Sequence, residues 1–132
     1  MPTKHLLKRG VAVLVFLSST GYVVAEVPRM PIVRIAELEI DPAQLENFKV
    51  AVKEEMAISV RQEPGVLAIY AVAEQDNPSR LRFFEMYADE AAYKAHIQSP
   101  HFRKYFETTK DMIIFRKLIE TDPIQLSAKK NR

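Results

Sequence analysis

The chain has 132 residues, is 48% hydrophobic and carries 19 Lys+Arg against 17 Asp+Glu, which fits one folded domain and leaves little of the basic surplus that a nucleic-acid binder concentrates on one face. It contains no cysteine, which excludes disulfide staples, thiol nucleophiles and thiolate metal sites. Only three glycines are present, too few for a glycine-rich phosphate loop or a dinucleotide fingerprint, and no GxSxG nucleophile elbow occurs.

The first segment reads as a leader. Lys4, Lys8 and Arg9 precede the apolar run Val11 to Leu17, and Ser18-Ser19-Thr20-Gly21 and Val23-Val24-Ala25 follow, the three-part layout of a secretory signal peptide. The apolar stretch is shorter than the roughly 20 residues that a membrane-spanning helix needs. Residues 1–25 are therefore expected to be a signal peptide and 26–132 a single domain, periplasmic or secreted, with no stable membrane insertion. The leader takes three basic side chains and no acidic ones, so the remaining domain is close to neutral. Lys129, Lys130 and Arg132 form its one basic cluster, which reads as a solvated tail, and no nucleic-acid partner is expected.

Pro31 to Ile40 reads as a strand, with Ile32, Ala36, Leu38 and Ile40 on one parity and Val33 and Ile35 on the other. Asp41-Pro42 opens a helix, with Gln44 placed to complete a capping box. Along it Leu45, Phe48, Val52, Met56 and Val60 recur at three- and four-residue spacing as the buried stripe. Pro64-Gly65 ends it in a turn that suits glycine. Val66 to Ala73 is the second strand, and Gln75-Asp76-Asn77-Pro78-Ser79 turns the chain into the third, Leu81 to Tyr87. Asp89 caps a second helix reaching about Gln98, and Ser99-Pro100 starts another helical segment carrying Phe102, Tyr105 and Phe106 inward. Ile113 to Ile119 is the last strand, and beyond Pro123 the pair Ile124 and Leu126 forms a short extra strand or an arm.

Strand, helix, strand, strand, helix with an extension, strand is the split βαβ arrangement of an α+β, ferredoxin-like fold. Helices cover one face of such a sheet. The strands are apolar on both parities, however, so a second copy is expected to cover the open face and make a homodimer.

After loss of His5 with the leader, His96 and His101 are the remaining histidines. They stand five residues apart across Ser99-Pro100 rather than at the four-residue step of helical zinc pairs, so no metal site is expected, and without a phosphate loop or dinucleotide fingerprint no cofactor is expected either. His96 shares a helix stripe with Ala92, Ala95 and Ser99, small residues that would leave space beside an inward imidazole. Glu85 and Tyr87 on the preceding strand are its expected polar neighbours, and the three are the candidate catalytic residues. Tyr70, Phe84, Phe102 and Tyr105, with His101 at the rim, are candidate substrate-binding residues, although aromatic residues at these periods usually fill interiors. Arg34, Arg80, Arg82 and Arg103 are scattered candidates for holding a phosphorylated substrate.

Arg82-Phe83-Phe84-Glu85-Met86-Tyr87, then Asp89-Glu90-Ala91-Ala92-Tyr93-Lys94-Ala95-His96, then Ser99-Pro100-His101-Phe102, resemble the signature of the antibiotic-biosynthesis monooxygenase family. The similarity spans about residues 30 to 125, and the nearest look is to small bacterial quinol monooxygenases and to the enzyme that processes the phosphorylated autoinducer-2 signal. The resemblance implies a dimeric α+β barrel, a pocket between helices and sheet, and oxidation of a hydroquinone or phenol by O2 without a prosthetic group. It matches His96 to the family's helix histidine and Glu85 and Tyr87 to its strand positions. The haem-degrading branch uses Asn on the first strand and a Trp, where this chain has Ala36 and no Trp, so haem degradation is disfavoured, as are polyketide substrates. An isomerase or tautomerase of a small hydroxycarbonyl and a non-catalytic ligand-binding dimer are the alternative functions.

Overall fold

A computed structural model describes residues 30–129. The expected signal peptide lies outside the described residues. No helix among the described residues is long and apolar enough to cross a membrane.

The elements follow in the expected order: β1 (Ile32–Ile40), α1 (Leu45–Gln62), β2 (Val66–Ala73), β3 (Arg80–Tyr87), α2 (Glu90–Gln98), α3 (Pro100–Thr109) and β4 (Ile113–Thr121). They build a four-stranded antiparallel sheet in the order β2-β3-β1-β4. This is the ferredoxin-like α+β fold, with β3 and β1 at the centre and the uncharged strand β2 at one edge. The core joins Ala36, Leu38 and Ile40 of β1 and Leu81 and Phe83 of β3 to Phe48 and Val52 of α1.

Several local expectations are corrected. Asp41 caps a 3₁₀ turn, Pro42–Gln44, rather than the α-helix itself, its carboxylate accepting from the Ala43 N–H. Gln44 closes no capping box and instead accepts from Asn47. On α1 the buried face drifts from Phe48 and Val52 to Glu55 and Ser59, leaving Val60 exposed. Ala95 of α2 is likewise exposed. Among the described residues, the segment after β4 forms no strand, and Ile124 is almost fully exposed.

In β2 a bulge between Val66 and Ala68 breaks the expected alternation: Val66 pairs with Tyr87 and is buried on the helix side, whereas Ala68 pairs with Met86 on the other. Gly65 has no positive φ. It is needed because α2 approaches closely, so that a Cβ at position 65 would lie 2.4 Å from the Ala92 Cβ.

The face away from the helices carries Val33, Ile35, Phe84, Met86, Tyr70, Val72, Phe115 and Ile119 by register. Tyr70 and Val72 are each more than 60% exposed, and Phe115 is half exposed.

Candidate functional site

Local sequence explains how the site is assembled. Asp89 caps α2 by accepting from the Ala92 N–H at 2.8 Å, and the chain leaves α2 at Ser99, held extended (φ −64°, ψ 149°) as a residue before proline must be. Ser99 then caps α3, its hydroxyl accepting from the Phe102 N–H. On one continuous helix, residues five apart point in different directions. The break between α2 and α3 cancels that, and the His96 and His101 rings stand with centroids 6.4 Å apart.

Both imidazoles meet one carboxylate. His96 Nδ1 lies 3.0 Å from Glu63 Oε1, and His101 Nε2 bonds to the same oxygen. Glu63 is the residue between α1 and Pro64, with its backbone extended where the helix ends. On its other edge His96 presents Nε2 at 3.7 Å from Glu55 Oε1. Glu55 is buried one turn before Ser59, whose hydroxyl donates to it at 2.6 Å. The His96 ring is fixed between Tyr87 and Phe102, with centroid distances of 5.3 and 5.0 Å, and is only 3% exposed.

Of these residues, Glu55, Tyr87, His96 and Phe102 border a cavity of about 100 Å³ between the helices and the sheet, which Ser59, Glu63 and His101 do not line; its size is of the order that admits a single aromatic ring. Its apolar walls include Phe83, Ile69, Met56, Phe102 and Tyr105, and Glu55, Glu85, Tyr87 and His96 supply polar groups. Arg116 and Leu118 of β4 border it on their exposed side, with the Arg116 guanidinium 5.4 Å from the Phe106 ring centre.

Burial sets the electrostatics. It pushes the Glu85 carboxyl above the usual carboxylate range, although the Tyr87 hydroxyl donates to it at 2.9 Å. Burial and the neighbouring Glu85 push the Tyr87 phenol well up, so Tyr87 stays neutral and acts as a donor. Glu55 is raised by burial against the opposing Ser59 hydrogen bond. Burial also acts upward on Glu63, but the hydrogen bonds from His96 and His101 outweigh it and hold that carboxyl low. Tyr105, buried in the wall, is pushed up to about 12.

Of the residues singled out from sequence, His96, Glu85, Tyr87, Phe102 and Tyr105 line the cavity. Tyr70 and Phe84 do not: they stack against each other, centroids 6.4 Å apart, on the opposite sheet face, because their strand parity points them there. His101 is not a rim residue; its side chain is 13% exposed and bound to Glu63. None of Arg34, Arg80, Arg82 or Arg103 lines the cavity. Arg34 pairs with Glu90 and Glu120, Arg80 with Glu39 and Arg82 with Glu74.

Glu55, Ser59 and Glu63 are the polar residues that sequence reasoning missed. Their spacing was legible without singling them out: from Phe48 and Val52, steps of three and four residues lead to Glu55, Ser59 and Glu63 as well as to Met56 and Val60. An apolar-only stripe hides polar residues placed inward.

The family model described as Antibiotic biosynthesis monooxygenase matches residues 31–108. A Bacteroides thetaiotaomicron structure whose name places it among antibiotic biosynthesis monooxygenases is 46% identical, with a TM-score of 0.73 over 77% of this chain and 97% of its own. A Lactobacillus acidophilus structure named for monooxygenase activity is 35% identical, with a TM-score of 0.66 over 67% of this chain and 42% of its own. An uncharacterised Synechocystis protein is 26% identical over 118 residues, 82% of this chain and 80% of its own.

Proposed function

The chain belongs to the antibiotic biosynthesis monooxygenase family, and from that premise we propose that it oxidises a small hydroquinone or phenol with O2 and no prosthetic group, with His96 as the base. The observation that carries this reading is the fixed orientation of His96. Its Nδ1 is tied to Glu63, which leaves Nε2 on the side of Glu55 and the cavity. An imidazole held in that tautomer accepts a phenolic proton near neutral pH, and such general-base help contributes about 10² to 10⁴ in rate.

The substrate anion is itself the reductant. It transfers electrons to O2, one oxygen atom bonds to ring carbon, and the O–O bond breaks with the second oxygen leaving as water. A hydroquinone thereby becomes a hydroxyquinone, losing four electrons that reduce one O2. Tyr87, kept neutral and hydrogen-bonded to Glu85, offers a polar wall opposite the apolar residues that keep water away from the anion. The cavity volume supports a single-ring substrate.

Oxygen uptake in chelator-treated buffer, with a panel of hydroquinones and catechols, tests the proposal. Wild type should consume O2 with at least one of them, and His96→Ala should be slower by about 10² or more. Undiminished uptake in the variant refutes His96 as the base, and turnover that persists without O2 refutes the oxygenase reading.

We also propose that the open sheet face binds a second copy. Tyr70, Val72 and Phe115 lie on one surface with half-buried Phe84 and Met86. Covering such a surface gains about 25 cal/mol per Å² of apolar area.

A further inference from the structure

Glu55, His96 and His101 each place one donor atom so that the three lie within 4.8 Å of one another. We propose that these side chains form a binding site for a divalent transition cation of the zinc type, with a remaining coordination position facing the cavity. This goes beyond the oxidation reading, in which neither Glu55 nor His101 has a necessary part.

Chemistry and geometry both favour a cation here. Two imidazoles and one carboxylate suit Zn2+, Fe2+ or Co2+ rather than Mg2+ or Ca2+, which favour sets made of oxygen. Tetrahedral zinc with bonds of about 2.0–2.2 Å sets its ligand atoms about 3.3 Å apart. His96 Nε2 and Glu55 Oε1 are 3.7 Å apart, already near that span and too far for a hydrogen bond. The gap is the right size for an ion between them.

Outer partners are in place. Glu63 accepts from His96 Nδ1 and fixes the tautomer that leaves Nε2 free, the carboxylate–histidine–metal pattern. The same oxygen holds the His101 ring, and Ser59 orients the Glu55 carboxylate. Met56, Phe102 and Tyr105 line the adjoining cavity and limit water around the group. An entry route exists as well: a groove of about 360 Å³ between α1 and α3, bordered by Glu54 and Lys104, reaches both Glu55 and His101.

The full-length chain, tag-free and stripped with EDTA, is titrated with Zn2+ against a chromophoric chelator. Glu55→Gln, His101→Ala and Glu63→Gln are run alongside it, each first checked by circular dichroism. Wild type should take up one Zn2+ per chain that millimolar Mg2+ does not displace. Glu55→Gln and His101→Ala should each weaken binding by about 100-fold or more, since each loses one of three ligands, and Glu63→Gln by about 10- to 100-fold. Should Glu55→Gln fail to fold, His101→Ala decides. Co2+ should give the intense visible bands of four-coordination in wild type only. Absence of uptake at micromolar Zn2+, or uptake that His101→Ala leaves unchanged, overturns the site.

The two proposals fail separately. Zinc binding is read without turnover, and O2 uptake is read in excess chelator. If both hold, Zn2+ stops O2 uptake by occupying the nitrogen that accepts the substrate proton.

Discussion

Gly65→Ala tests how closely the site depends on helix packing. Gly65 joins α1 to β2, its carbonyl accepts from the Ala88 N–H, and no positive φ requires glycine there. An added Cβ would stand 2.4 Å from the Ala92 Cβ and 3.4 Å from its Cα. Carbon atoms prefer about 3.5–4.0 Å, so α2 has to retreat by about 1 Å. Overpacking of this kind costs about 1–3 kcal/mol. For a domain near 100 residues each kcal/mol shifts Tm by about 4–8 °C, so the variant should melt about 4–24 °C lower. His96 lies one helical turn beyond Ala92, so the same retreat stretches its 3.0 Å bond to Glu63. A misplacement of about 1 Å can cost a catalytic group 10² in rate. Thermal melts followed by circular dichroism, run as a cycle with Ala92→Gly and the double variant, read the coupling directly. The double variant should recover the overlap cost and retain a deficit of about 1 kcal/mol from glycine inside a helix. A single variant melting within about 2 °C of wild type, or a cycle with no coupling, would falsify close approach as the reason for Gly65.

Glu85→Gln should stabilise the protein at neutral and alkaline pH. Burial raises this carboxyl in the folded state, so its contribution is intact below the ordinary value of about 4.3 and is lost as pH rises through the folded value; melts at pH 4 and pH 8 should show the gain only at pH 8, and equal curves at both would refute it. Glu63 behaves oppositely. Its lowered carboxyl stabilises above the ordinary range and loses that contribution on acidification, so Glu63→Gln should lower Tm at pH 7 with a deficit that shrinks toward pH 3, and a deficit independent of pH contradicts the histidine contacts as its source. Tyr70→Asp with Val72→Asp places two charges on the open face and should convert a sedimenting dimer to monomer; a monomeric wild type at micromolar concentration removes the case for a covered face.

The sequence by itself determined the order and nature of the elements, because that information is local. Asp89 and Ser99-Pro100 mark helix starts through groups a few residues away, and alternation in β1 and β3 names their two faces without reference to any partner strand. His96 was legible as an inward histidine for the same reason. Tertiary structure decided what His96 meets. Glu63 is 33 residues away in sequence and His101 lies past a helix break, and no period in the chain reports that both imidazoles turn toward one carboxylate. The bulge in β2 that moves Val66 to the helix side, and the approach of Ala92 that requires Gly65, are likewise products of packing between distant segments. Local propensity fixes which way each segment coils. Only the docking of α1, α2 and α3 on the sheet bonds Glu63 to His96 and His101 and brings Glu55 up to the other edge of His96, because that geometry belongs to the helix arrangement and to no single helix.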